Sequence, residues 1–283
     1  MKRLHDPETA PYLFVAGVHN EASLGWSAAQ AWLNMNPDHQ VVASTRSDAG
    51  IEFINKQREL HRGRVDQVEA DWSLPDANTI VRDQLHYTYG DERRFAGFVH
   101  AVAAADRTNF TQPAHALDPS VYVDAFRVST VSLVQGVQAV QDLLVPNAGV
   151  VTFGFGRPGA TVEGYGGAMS AAKAGLSQLT VELAASLGQA EPSARTAEIV
   201  TGYIPTYSGR GVALAQKVRP GVVEDQFAET ALLPDTDSSS QRIAAGQMAA
   251  AFMVEPMFSQ TTGQTIHVDA GWSLRSANLF PTE

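Results

Sequence analysis

Tyr12-Leu13-Phe14-Val15-Ala16-Gly17-Val18-His19-Asn20-Glu21-Ala22-Ser23-Leu24-Gly25-Trp26 is the stretch whose reading decides the fold. An apolar run ends in a glycine, and its length and flanks mark a buried strand. A small-residue segment from Ser27 to Leu33 then reads as the start of a helix. A glycine at the strand end lets the backbone turn tightly, and the N-terminus of the helix beyond it can hold a pyrophosphate. The G-x-G-x-x-G fingerprint is absent, since only Gly17 and Gly25 remain. Taken alone, the turn reads equally as a structural turn or as a nucleotide site.

Working outward, further strands are expected at Gln40 to Thr45, Val65 to Ala70, Phe95 to Val102, Gly149 to Phe155, Ala197 to Val200 and Gln264 to Val268. A helix is expected from Val121 to Leu144, ending before Pro146, and another from Ala171 to Leu187. Strands alternating with helical segments imply a parallel sheet covered on both faces. The fold class is therefore α/β, a Rossmann-like, doubly wound parallel sheet of about seven strands in a single domain spanning 1–283. Residues 207–241 show no clear strand and carry a Ser-rich patch. They read as a substrate lid or as a plain surface excursion.

Composition narrows the function. The chain has 283 residues, 44% of them apolar and 18% charged, enough for a sizeable core. A net charge of -10 argues against binding to nucleic acid or to an anionic membrane. With no cysteine, disulfides, thiolate metal sites and a Cys nucleophile are excluded. Asp235, Thr236 and Asp237 lack the spacing of a calcium loop, so no metal is expected. Met1 to Glu8 has no apolar h-region and no run is long enough to span a bilayer, so a cytoplasmic protein is expected.

Gly164-Tyr165-Gly166-Gly167-Ala168-Met169-Ser170-Ala171-Ala172-Lys173 supplies one phenol and one ammonium ahead of the second helix. A phenol can donate a proton, and a nearby ammonium can lower its pKa by favouring the phenolate. That pair suits reduction of a carbonyl or an activated alkene by a hydride cofactor. A loop tyrosine before a surface lysine is the plain alternative.

Gly17 followed after five residues by Ser23-Leu24-Gly25 resembles the divergent first turn of the enoyl-acyl-carrier-protein reductases, a branch of the short-chain dehydrogenase/reductase family. Asp71-Trp72 resembles the pair that contacts adenine there. Phe98-Val99-His100-Ala101 resembles the strand-four signature of that branch. Met169, four before Lys173, Thr201-Gly202-Tyr203-Ile204-Pro205-Thr206 and His267-Val268-Asp269-Ala270-Gly271-Trp272 match in order, so the likeness covers roughly residues 12 to 280. It implies NAD(P)H-dependent reduction of an enoyl thioester, with Tyr165 and Lys173 catalytic. Gly17, Ser23, Leu24, Asp71, Trp72, Ala103, Lys173, Ile204 and Thr206 would line the cofactor. Phe155, Tyr165 and Met169 would meet the substrate, an acyl thioester that is free or carrier-bound. It also implies a homodimer or homotetramer built on the two long helices. His100 reads as packed or hydrogen-bonded rather than catalytic. Arg157 and Arg210 are candidate contacts to an anionic carrier group.

Three departures are visible. Tyr165 stands eight before Lys173 where the family has seven, and on a continuous helix the extra residue would turn it about 100° away. Gly166 and Gly167 can absorb that residue ahead of the helix. Ala103 stands where the family has a glycine against the ribose, and Pro205 where it has an arginine. For the dinucleotide, no carboxylate ends the second strand at 43–47. Arg46 suits a 2'-phosphate, which tilts the expectation from NADH to NADPH. The alternatives are a carbonyl reductase or dehydrogenase on another substrate, and a non-catalytic dinucleotide-binding scaffold.

Overall fold

The computed structural model describes residues 10–156, 160–162, 164–233 and 236–275. Apolar and β-branched runs form β1 (Tyr12–Ala16), β2 (Gln40–Thr45), β3 (Val65–Glu69), β4 (Phe95–His100), β5 (Leu144–Phe155), β6 (Ala194–Thr201) and β7 (Gln264–Val268). They make a sheet ordered β3-β2-β1-β4-β5-β6-β7, and every neighbouring pair is parallel. Every residue of β4 and β6 is buried, as expected for parallel strands covered on both faces. Strand order reverses between β1 and β4, so a crevice opens at their carboxyl ends.

The helices are α1 (Leu24–Met35), α2 (Asp48–Leu60), α3 (Ala77–Tyr89), α4 (Pro119–Phe126), α5 (Ser132–Val140), α6 (Gly167–Leu187), α7 (Tyr207–Ala215), α8 (Pro220–Thr230), α9 (Ser238–Val254) and α10 (Trp272–Arg275). α1, α2 and α9 cover one face of the sheet; α3, α5 and α6 cover the other, with α4 lying against α6. Across β1 and β4, Phe14 and Phe98 stack at 5.4 Å in the core. Arg195, 5% exposed on β6, lies 4.6 Å from the Phe252 ring centroid. It donates to the carbonyls of Phe252, Met253 and Phe258. A cation at the C-terminal end of α9 is favoured by the helix dipole. No helix among the described residues is long and apolar enough to cross a membrane.

Several boundaries differ from the sequence expectation for local physical reasons. The helix expected over 121–144 is interrupted. Asp118 caps α4 through Ser120 N, a π-helical turn runs over Arg127–Val131, and α5 follows. β5 begins at Leu144, before Pro146 rather than after it. Phe95 pairs with Leu144 and Gly97 with Gly149, so extra residues bulge from β5 there. An exposed proline fits such a bulge because its missing N–H is not needed. α6 starts at Gly167, earlier than expected. Residues 207–230 hold α7 and α8. Arg157 and Asp235 lie outside the described residues.

Candidate active site

The carboxyl ends of the strands open into one cleft of about 1050 Å³. One end is built by the first turn, after β1. Gly17 has φ +92°, and a Cβ there would lie 2.5 Å from the Ala101 carbonyl oxygen. The backbone therefore passes tightly under β4 in a conformation that other residues rarely adopt. Gly17 and Val18 both donate to Ser44 O, at 3.1 and 3.0 Å. Ser23 caps α1, its Oγ accepting from Trp26 N at 3.4 Å. Ser23 and Leu24 line the cleft, so the positive end of α1 faces it. This concave turn suits a dinucleotide pyrophosphate. Among the described residues no acid and histidine cluster is arranged to hold a metal ion.

Arg46, Asp71 and Trp72 line the cleft beyond β2 and β3. Trp72 is fixed by its Nε1, which donates to Ser44 Oγ at 3.0 Å. Asp71 accepts from Ser73 N and Ser73 Oγ at 2.9 and 2.6 Å. Partial burial pushes its carboxyl up, but the Ser73 bonds and the Arg46 charge outweigh that and hold it below the usual range. Arg46 reaches Asp71 at 3.4 Å while remaining 59% exposed. His19 shares a hydrogen bond with Ser47 Oγ at 2.9 Å and meets the Tyr207 ring at 4.9 Å. α7 thus touches the first turn.

The opposite end gathers Ala103, Phe155, Tyr165, Met169, Lys173 and Ile204. Thr206 also lines it, although its Oγ1 caps α7 by accepting from Gly209 N at 3.0 Å. Tyr165 lies in a turn, and Gly166, with φ +84°, precedes the helix. Tyr165 therefore stands ahead of the helix rather than on it, and both Tyr165 and Lys173 line the cleft. The Tyr165 ring packs on Phe155 at 4.4 Å. Lys173 donates from Nζ to Phe153 O at 2.6 Å. The expected lowering of the phenol by the lysine does not occur: burial alone displaces Tyr165, and it does so upward. Burial lowers Lys173 to about 8, against an opposing pull from Glu198.

His100 is held inside, as its strand position implies. Ser132 Oγ donates to Val128 O at 2.6 Å, so it accepts from His100 Nε2 at 2.8 Å. Nδ1 lies 2.9 Å from Thr152 Oγ1, which also reaches His100 O at 3.4 Å. Burial, with the Lys173 charge adding, lowers His100 to about 3, so the ring is neutral.

Two supports were not legible in the sequence. Gly166 offers no capping side chain, and buried Asn109 replaces one from a 3-10 turn. Its Oδ1 accepts from Ala168 N and Met169 N at 2.8 and 3.2 Å, and its Nδ2 donates to Tyr165 O at 3.1 Å. A Cβ on Gly166 would strike Asn109 itself. Ser129, in the π-helical turn, bonds both N and O of Ala104 and fixes the loop carrying Ala103. Arg210 is exposed on α7 and does not line the cleft.

The family model described as enoyl-(acyl carrier protein) reductase matches residues 17–273. A protein of Nostoc sp., named enoyl-acyl-carrier-protein reductase (NADH), is 24% identical over 274 residues, covering 94% of this chain and 97% of its own. One of Haemophilus influenzae with the same name is 31% identical over 182 residues, 64% of this chain and 65% of its own. The Bacillus cereus enoyl-acyl carrier protein reductase, solved with NADP+ and an indole naphthyridinone, superposes with a TM-score of 0.81 at 20% identity. That match covers 96% of this chain and 100% of the other. The Aquifex aeolicus enzyme gives 0.79 at 19%, over 94% and 97%. At these identities the solved structures speak for the fold alone.

Proposed function

This chain belongs to the enoyl-(acyl carrier protein) reductase family, and from that premise we propose that it reduces the 2,3 double bond of an enoyl thioester with a reduced nicotinamide dinucleotide. The observation that supports the reading is that Tyr165, Met169 and Lys173 line the same cleft as the Gly17 turn.

When bound, the dinucleotide would supply a hydride to the β-carbon, and a proton from the medium completes the new C–H bond at the α-carbon. The chain's own residues do the rest. The Gly17 turn and the α1 N-terminus receive the pyrophosphate, and Trp72 and Asp71 border the adenine. Lys173 donates to ribose hydroxyls and contributes positive charge. Phe155 and Met169 bound the acyl group, excluding water. The Tyr165 hydroxyl donates to the thioester oxygen as negative charge develops there. A hydroxyl raised by burial stays protonated at neutral pH, which suits a donor.

Choice of dinucleotide is the finer point. Arg46 presents a guanidinium to a 2'-phosphate, but Asp71 already engages it. Relatives bear NADH in their names, and a structural neighbour holds NADP+. Arg46 is therefore the proposed discriminator rather than proof of an NADPH preference. The test follows nicotinamide oxidation on a short enoyl thioester with each cofactor, in wild type and Arg46→Ala. Turnover is expected, with Arg46→Ala losing NADPH affinity more than NADH affinity. Cofactor binding with no turnover on any enoyl thioester would favour the scaffold reading. Equal losses for the two cofactors would remove Arg46 as discriminator.

A further inference from the structure

β6 carries a carboxylate in its buried interior. Glu198 is 1% exposed, and a charge there needs compensation. Its Oε1 accepts from Ser177 Oγ at 2.9 Å and its Oε2 from Thr265 Oγ1 at 3.1 Å. A hydroxyl stands at each oxygen, and the single Ser177 hydrogen is shared between Glu198 Oε1 and the Lys173 carbonyl at 3.1 Å. The neighbouring strand leaves space for it, because a Cβ on Gly154 would strike Glu198 Oε1. Ser177 lies four residues after Lys173 on α6, and such residues share a helix face. Lys173 Nζ reaches Phe153 O, adjacent to Gly154. The ammonium and the carboxylate are thus lodged between α6, β5 and β6.

We propose that Glu198 is a positioning residue, a fixed counter-charge that acts on Lys173 through space, without a direct ion pair, and favours its ammonium form. The proposal deepens the functional reading and rests on its assignment of Lys173 to the cofactor. Without a counter-charge, a buried amine sheds its proton near neutrality and loses its attraction for a polyanionic dinucleotide. The directions agree with the geometry. Burial lowers Lys173 and Glu198 opposes it. Burial holds the Glu198 carboxyl above its usual range, and Ser177, Lys173, Thr265 and His267 offset that only in part. The titratable neighbours are few: Lys173 from α6, His267 from β7 and, facing Lys173 from β4, neutral His100. Thr152 and Gly154 of β5 bring no charge.

The sequence contains four lysines, so a ¹³Cε-lysine spectrum of the full chain is simple, and Lys173→Arg identifies the signal of Lys173. The expected result is that in Glu198→Gln the Lys173 amine titrates about one pH unit lower, tenfold in its protonation equilibrium. NADH affinity, read by nicotinamide fluorescence, should begin to fall at a correspondingly lower pH. Ser177→Ala, which keeps both charges, should move the amine less and in the same direction; it also serves if Glu198→Gln folds poorly. A Lys173 titration unchanged in both variants overturns the proposal, whatever the protein reduces. A shifted amine with NADH affinity indifferent to pH supports the counter-charge and contradicts the cofactor role of Lys173 instead.

Discussion

His100 shows how one buried side chain sets a pH limit. Folded, burial lowers it to about 3 from the ordinary histidine value of 6.5. On acidification the unfolded chain takes up this proton first. Stability from a neutral His100 is therefore full above about 6.5 and is lost as pH falls from there towards 3. One proton contributes at most ~1.4 kcal/mol per pH unit. His100→Gln removes the titration. Urea midpoints between pH 7 and 4.5 should fall more steeply in wild type than in His100→Gln; parallel curves would contradict the burial argument. The residue scale was also where the sequence was most legible. Gly17 was legible as a tight turn because a glycine at a strand end answers a local demand, whereas the capping of α1 by Ser23 was not legible, since the helix was expected to start only at Ser27. The pKa of Tyr165 was not legible, because it depends on what surrounds the ring rather than on the interval to Lys173.

At the scale of elements, the start of α6 decides where the cleft chemistry stands. Met169 and Lys173 ride on its first two turns, and its cap comes from Asn109, distant in sequence. Asn109→Ala leaves buried N–H groups without an acceptor, which costs about 1–3 kcal/mol. Denaturant midpoints should show that loss, Asn109→Asp should recover part of it through its Oδ1, and cofactor affinity should weaken in the alanine variant. Wild-type stability in Asn109→Ala would show that water satisfies those amides. No pattern in the sequence marks this cap, because it is made across the fold. The π-helical turn over Arg127–Val131 was hidden for a related reason. Its apolar spacing reads as ordinary helix, while the hydroxyls of Ser129 and Thr130 bond Ala104 and Ala172 O far away in the chain.

For the molecule as a whole, alternation of strands and helices was enough to expect a parallel, doubly covered sheet, and motif order was enough to place the cleft. Positions read from widely separated motifs, from Gly17 to Thr206, line the same cavity because parallel strands bring their carboxyl ends together. The proposed reduction depends on the Tyr165 hydroxyl acting on the thioester oxygen in that cavity. Its most direct test is the steady-state rate of Tyr165→Phe against wild type on a short enoyl thioester, with cofactor affinity measured alongside. The account predicts a rate lower by well over tenfold, within the ~10² to 10³ that a proton or oxyanion donor contributes, and unchanged cofactor affinity. An unchanged rate in Tyr165→Phe would contradict it.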